Sequence, residues 1–244
     1  MKTTLFLPVL NEIDGLKAIL PRLQPGWVDE MIFVDGGSTD GTFEYLQENG
    51  YHVIRQQEKG LAAAYWECFA VATGDIIIPF SPDNNSVPEL LPRLIDKMKQ
   101  GYDMVIVSRY RDGARSEDDD LLTGFGNWMF TTLINVLFGG HYTDVLVMYR
   151  AFRKDLVQRL RLDVRKTPVL EVQLVIRCLK YGCKIDEIPG DEPKRLGGKR
   201  KMSIWYNGST ILWLILKELF CHRIKRQAPS AESEMSTATP RHAA

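Results

Sequence analysis

The chain has 244 residues, 45% of them hydrophobic, and its 31 basic side chains balance 31 acidic ones. That length suits one large domain, or a domain with an appendage, and a chain this long can bury a real core. A formal net charge of zero excludes the bulk electrostatics of a non-specific nucleic-acid binder and singles out no other partner. Cys68, Cys178, Cys183 and Cys221 form neither a C-x-x-C pair nor a disulfide-framework spacing, so reduced thiols of a cytosolic protein are expected. The four histidines are scattered, which argues against a zinc cluster. Pro8 and Asn11 break the first apolar run, so no signal peptide is expected. No stretch offers the roughly 20 uninterrupted apolar residues of a spanning helix.

In chain order, residues 3–10 read as a strand, followed by a helix with Leu16, Ile19, Leu20 and Leu23 on one face and Asn11 as its cap. Met31 to Val34 form a short apolar run ending in Asp35, then Gly36-Gly37 and Ser38-Thr39-Asp40-Gly41. This is the pattern of a buried strand, a tight turn and a helix start. A helix over 43–49, a strand over 51–55 and a small-residue helix over 61–72, opened by Lys59-Gly60, come next. The run 76–78 is a central strand that enters Phe80-Ser81-Pro82-Asp83-Asn84-Asn85. A helix over 88–99 and a strand over 104–107, ending in Ser108-Arg109-Tyr110, complete a β-α series with short connections. That series predicts an α/β fold with a largely parallel sheet flanked by helices.

Beyond it, residues 111–120 are charged and predict a mobile, solvated loop. An apolar helix over 125–138, a strand over 145–149 and a helix over 170–180 follow. Next come a strand over 184–188 and a basic, glycine-containing loop over 189–201. Residues 204–220 predict an apolar helix interrupted at Asn207-Gly208-Ser209-Thr210, and the tail from 227 has the composition of a disordered segment. The predicted division is an α/β domain over 1–203, an apolar and basic helix over 204–226, and the tail over 227–244.

Three strand ends carry polar groups that could converge: Asp35, the Ser81-Asp83-Asn85 turn, and Arg109. In open α/β sheets ligands bind at the carboxyl ends of the strands, so Asp35 can face a base or ribose or simply hold its turn. Asp83 and Asn85 suit a hard cation, although such residues are common in turns for purely structural reasons. The run Lys194-Arg195-Leu196-Gly197-Gly198-Lys199-Arg200-Lys201 suits phosphate oxygens, or else is a solvated charge run or an acidic-lipid contact. Asp144 and Glu171 are candidate bases, and Glu171 equally suits a helix dipole.

The order of these pieces resembles the family 2 glycosyltransferases of GT-A fold, and within them the dolichol-phosphate-mannose-synthase-like branch. The matching segments are LPVLNE (7–12), VDGGSTDGT (34–42), KGLAAA (59–64), GDIIIPFSPDNNSVPE (74–89), YDMVIVSRY (102–110), GN (126–127), TDVLVMYRAF (143–152), KIDEIP (184–189) and the R-x-GG-x-x-KMS element (195–203). The resemblance implies that Pro8, Asn11, Glu12, Asp35 and Lys59 bind the nucleotide, and that Asp83, Asn85 and Ser81 hold Mg²⁺ or Mn²⁺ on its diphosphate. Arg109 would meet the sugar or the acceptor phosphate, and Arg195 and Lys201 would clamp phosphates. Asp83, Arg109, Asp144 and Arg195 are thereby the implied catalytic set. The implied reaction is inverting transfer from a nucleotide-diphosphate sugar to a polyprenyl phosphate, with a hydroxyl acceptor or a catalytically silent scaffold as alternatives. A hydroxyl acceptor would need a base, for which Asp144 is the candidate.

The chain departs from the family pattern in three places. It reads Asp35-Gly36-Gly37 where the family often has further aspartates, Ser81 where the metal motif usually opens with a carboxylate, and Gly198-Lys199-Arg200-Lys201 where a glycine-serine-lysine element is usual. Trp205, Trp213 and the basic flank suit an interfacial helix, or one packed on the domain or on a second subunit. The expected location is cytoplasmic, peripheral on the cytoplasmic face of a membrane.

Overall fold

The computed structural model describes residues 1–196 and 203–220. Its elements are β1 (Thr3–Val9), α1 (Ile13–Ile19), β2 (Glu30–Asp35), α2 (Thr42–Glu48), β3 (Val53–Arg55), α3 (Leu61–Val71), β4 (Ile76–Pro79) and α4 (Leu91–Lys99). They continue with β5 (Met104–Ser108), α5 (Leu121–Phe138), β6 (Arg150–Arg153), α6 (Leu156–Arg159), α7 (Leu170–Tyr181), β7 (Ile185–Pro189) and α8 (Ile204–Phe220). One seven-stranded sheet runs in the order β3-β2-β1-β4-β6-β5-β7. Every pairing is parallel except the two made by β6, which is antiparallel to β4 and β5.

The apolar runs explain the centre of this sheet. Leu5, Phe6 and Leu7 of β1, all of Ile76 to Ile78 and Met104 to Ile106 have no exposed surface. Strands buried on both faces carry continuous rather than alternating apolar residues. Because β1, β2, β4 and β5 run parallel, their carboxyl ends open on one edge, and the strand order reverses beside β1. That is the crevice where open α/β sheets bind ligands. At this edge α1 lies hard against the turn after β4: a Cβ on Gly15 would sit 2.2 Å from the Pro82 carbonyl oxygen. Only glycine admits that approach.

Several expectations are corrected. The strand predicted over 145–149 is irregular, and the pairing falls on β6 instead. The reason is Arg150, fully buried, whose guanidinium donates to the carbonyls of Val145, Val147 and Glu171. Those carbonyls are satisfied by a side chain and need no ladder. Helix α8 is continuous through 207–210, where the Ser209 and Thr210 hydroxyls bond back to the Tyr206 carbonyl. Asn11 does not cap α1; it sits at φ 55°, and its Oδ1 accepts from Thr39 N at 2.8 Å. The first helix ends at Ile19 and continues as a short 3-10 turn over Leu20–Arg22.

The 111–120 loop is tied down. Ser116 bridges to Glu192, Glu117 N donates to the Glu192 carbonyl at 2.8 Å, and Asp120 caps α5 by accepting from Thr123 N at 2.8 Å. Helix α5 is, among the described residues, long and apolar enough to cross a membrane by length and composition, with a mean hydropathy of 1.3. One side of it nevertheless belongs to the domain: Asn127, Phe130, Thr131 and Ile134 are buried, and it packs on α7 and α8. Residues 197–202 and 221–244, and with them the expectations for the rest of the basic loop, Lys201, Cys221 and the tail, lie outside the described residues.

Candidate active site

A cleft of about 990 Å³ opens along the carboxyl edge of the sheet. At one end it is walled by Pro8, Glu12, Gly36, Gly37 and Lys59, with Gln56 beside them. Asp35 and Asn11 stand behind this wall. Asp35 is fully buried and accepts from the backbone N–H groups of Gly37 (3.1 Å) and Ser38 (3.2 Å). Asn11 takes Ser38 Oγ on its own N–H at 2.9 Å and accepts from Thr39 N. Both residues therefore set the shape of the glycine turn, and the turn's backbone forms the cleft surface.

In the middle lies the turn after β4. Asp83 Oδ1 accepts from Ser81 Oγ at 2.5 Å and from Asn85 N at 3.2 Å, while Oδ2 faces Arg195 Nη1 at 3.7 Å. The Leu196 N–H donates to the Asp83 carbonyl (2.8 Å) and Asn84 Nδ2 to the Lys194 carbonyl (3.1 Å), so the segment carrying Arg195 is fastened to this turn. Asn85 Oδ1 is buried with no hydrogen-bond partner among the described residues. Serine, aspartate and amide oxygens, one of them orphaned, are the donor chemistry a Mg²⁺ or Mn²⁺ ion takes, usually with one or two carboxylates and substrate phosphates. The residues fit such an ion, although no three His, Cys, Asp or Glu side chains form a metal cluster among the described residues.

Arg109, at the end of β5, is the most heavily paired charge in the cleft. Its Nε donates to Asp144 Oδ2 at 2.6 Å and its Nη2 to Asp144 Oδ1 at 3.1 Å; Nη1 reaches Glu192 at 3.0 Å and Asp119 at 3.4 Å. Burial disfavours its charge, and the three carboxylates more than offset that, which holds the guanidinium well above its usual pKa. Asp144 has no exposed surface and also accepts from Asn127 Nδ2 at 3.2 Å. Thr143 N and Asp144 N in turn donate to Glu187, which fastens the segment to β7. Burial raises the Glu192 carboxyl, against the pull of Arg109. Glu171 accepts from the Tyr65 hydroxyl at 2.6 Å and also lines the cleft.

The far wall is apolar. Leu122 and Phe130 of α5 and Ile204 and Ile211 of α8 line it. On the outer side of the same two helices Phe125, Trp128, Trp205, Tyr206, Trp213 and Phe220 are exposed, and Lys217 Nζ lies 5.0 Å from the centre of the Trp213 ring.

Pro8, Glu12, Lys59, Ser81, Asp83, Asn85, Arg109 and Arg195 thus share one cleft. Sequence reading missed Glu192, Asp118, Asp119 and Gln56 as residues at or beside it, and quoted Asn127 only within a matching segment, without a role. The run of four acids at 117–120 was the available signal, since an acidic run between two arginine-bearing segments can close on both.

Residues 4–161 match the description "Glycosyl transferase family 2". The chain belongs to this family. It is 28% identical to the undecaprenyl-phosphate mannosyltransferase of Micrococcus luteus over 83% of this chain and 88% of that protein. It is 27% identical to the polyprenol monophosphomannose synthase of Mycolicibacterium smegmatis, over 83% and 81%. Among solved structures, glucosyl-3-phosphoglycerate synthase from Mycobacterium tuberculosis, crystallised with Mn²⁺, UDP-glucose and phosphoglyceric acid, aligns with a TM-score of 0.67. That alignment has 21% identity and covers 89% of this chain and 79% of that one, and it shows a shared GT-A fold. As a member of family 2 the chain is a glycosyltransferase.

Proposed function

We propose that this family 2 glycosyltransferase transfers a sugar, with inversion, from a nucleotide-diphosphate sugar to a polyprenyl phosphate. One observation carries the reading: a single cleft runs from the oxygen-rich Ser81-Asp83-Asn85 turn to an apolar wall of α5 and α8. A charged diphosphate suits the first, and a prenyl chain suits the second. The names of the M. luteus and M. smegmatis relatives support the acceptor class.

In this reading Pro8, Glu12, Lys59 and the backbone of the glycine turn hold the nucleotide, with Asn11 and Asp35 shaping that turn. Ser81, Asp83 and Asn85 hold Mg²⁺ or Mn²⁺, which supplies Lewis-acid stabilisation to the departing diphosphate. Arg195 adds a bidentate, permanently charged donor beside it. Lys201, outside the described residues, is the second phosphate-binding candidate of the same basic run. A polyprenyl phosphate is already ionised, so its oxygen attacks without a general base, and Arg109 orients it. Asp144 holds Arg109. A second reading, a hydroxyl acceptor, is favoured by the three carboxylates already around Arg109, which leave little positive charge for an incoming phosphate. Glu192, lining the cleft with a raised pKa, is then better placed than Asp144 to take the proton.

The test is a thermal-shift series with UDP- and GDP-sugars, each with and without Mn²⁺, followed by turnover against polyprenyl phosphate and against simple glycoside hydroxyls. Native-state ligands raise the melting temperature by mass action. A metal-dependent shift followed by transfer to the lipid phosphate supports the first reading, whereas transfer only to hydroxyls selects the second. No shift with any donor would refute both.

The exposed aromatic flank of α5 and α8, with Lys217 against Trp213, suits peripheral attachment at the cytoplasmic face of a membrane. Trp205→Ala combined with Trp213→Ala is expected to weaken binding to liposomes of bacterial phospholipids about tenfold or more in a flotation assay, since each ring buries large apolar area. Unchanged flotation with a shift from dimer to monomer would assign the face to a second copy instead.

A further inference from the structure

Resting on the proposed donor and metal, we propose that Asp118 is a second carboxylate ligand of the cation, supplied from the 111–120 loop in place of the one that Ser81 lacks. Arg195 occupies the cation's place when no diphosphate is bound. Arg195 Nη2 donates to Asp118 Oδ2 at 2.6 Å, and its Nη1 lies 3.7 Å from Asp83 Oδ2. One guanidinium therefore spans both carboxylates. The side chains of Asp83 and Asp118 are only 13% and 12% exposed, so solvent does little to screen their repulsion.

The same turn joins them independently. Asn85 Nδ2 donates to Asp118 Oδ2 at 3.2 Å, and the other amide atom, Oδ1, is the buried oxygen without a partner among the described residues. An unpartnered buried oxygen beside two carboxylates is a donor set awaiting a hard cation. Asp118 is also held in place, because Ser116 is fixed on Glu192 behind it and Asp120 on α5 ahead of it.

When a diphosphate arrives, the guanidinium fork of Arg195 matches its oxygens better than it matches two separate carboxylates. Its departure leaves Asp83 and Asp118 facing each other, and a divalent ion restores the balance. The exchange makes cation and diphosphate mutually dependent: each binds better once the other is present. It also explains how a motif that opens with serine instead of a carboxylate can still hold a metal.

The test is Mn²⁺ binding to the full chain, read from the free-ion signal by electron paramagnetic resonance, without nucleotide and then with UDP or GDP. Compared are the wild type, Asp118→Asn, Arg195→Gln and the double variant, each checked for folding by its melting curve. Arg195→Gln is expected to tighten Mn²⁺ binding without nucleotide, because the competing guanidinium is gone. Asp118→Asn is expected to weaken it roughly 10- to 100-fold in both the wild-type and the Arg195→Gln backgrounds. Weakening in the wild type alone would show that Asp118 acts only by holding Arg195, and would overturn the inference while leaving the proposed function intact. No weakening in either background overturns it equally. Mn²⁺ taken up by no variant, the wild type included, with or without nucleotide, would overturn the metal-dependent function along with the inference.

Discussion

Asp83→Asn is expected to lower turnover of the nucleotide sugar roughly 10²- to 10³-fold. It should leave the melting temperature of the ligand-free protein nearly unchanged. The two effects separate because of what each carboxylate oxygen does. Oδ1 is a hydrogen-bond acceptor for Ser81 Oγ and Asn85 N, and an asparagine carbonyl oxygen can serve both. Oδ2 has only the longer Arg195 contact, at 3.7 Å. What the substitution removes is the negative charge, and a hard cation needs that charge more than the fold does. The check is steady-state release of nucleoside diphosphate at saturating donor, over a Mn²⁺ titration, beside a melting curve. Raised Mn²⁺ should recover part of the lost rate if the defect is metal affinity. A drop in turnover matched by a collapse of the melting curve would instead make Asp83 a structural residue.

How much of this was legible in the sequence follows from the range of each interaction. The central strands were legible because burial on both faces writes itself into consecutive apolar residues, as in Ile76-Ile77-Ile78. The oxygen-rich turn was legible because its donors, Ser81, Asp83 and Asn85, are neighbours in the chain. The misplaced strand at 145–149 was not, since those residues carry ordinary strand composition. What diverts them is the buried guanidinium of Arg150, which takes carbonyls that a partner strand would otherwise bond. The 111–120 loop was misread for a related reason. Its acids look solvated in isolation, and the partners that Asp118 and the Glu117 backbone find, Arg195 and Glu192, come more than 70 residues later. Local composition carries no record of such pairings. Asn11 and Asp35 are an intermediate case. Their motifs placed them at the glycine turn, yet composition could not tell a residue that faces the cleft from one that shapes the turn behind it.

Asp144→Ala is expected to cost about 3–5 kcal/mol of stability, because it strips the bidentate partner from a buried guanidinium. For a chain of this size that corresponds to a fall in melting temperature on the order of 10 °C. Asp119 and Glu192 remain near Arg109 but engage only Nη1, so they cannot replace the paired contacts that Asp144 makes to Nε and Nη2. Asn127 loses an acceptor in the same substitution, and its Oδ1 is already without a partner among the described residues. The paired replacement Arg109→Met with Asp144→Leu removes both charges of the bidentate pair and is expected to recover only part of the stability, since Asp119 and Glu192 lose the guanidinium they share. It should not recover turnover, because the residue proposed to meet the acceptor is gone. Asp144→Asn separates the remaining possibilities. A lowered melting temperature with a parallel loss of rate at every pH identifies a residue that positions Arg109. Full stability with a loss confined to hydroxyl acceptors, and a rate that rises again with pH as the acceptor ionises, would make Asp144 itself the base. The geometry favours the first outcome: a carboxylate with no exposed surface and both oxygens on one guanidinium has no path to an incoming hydroxyl.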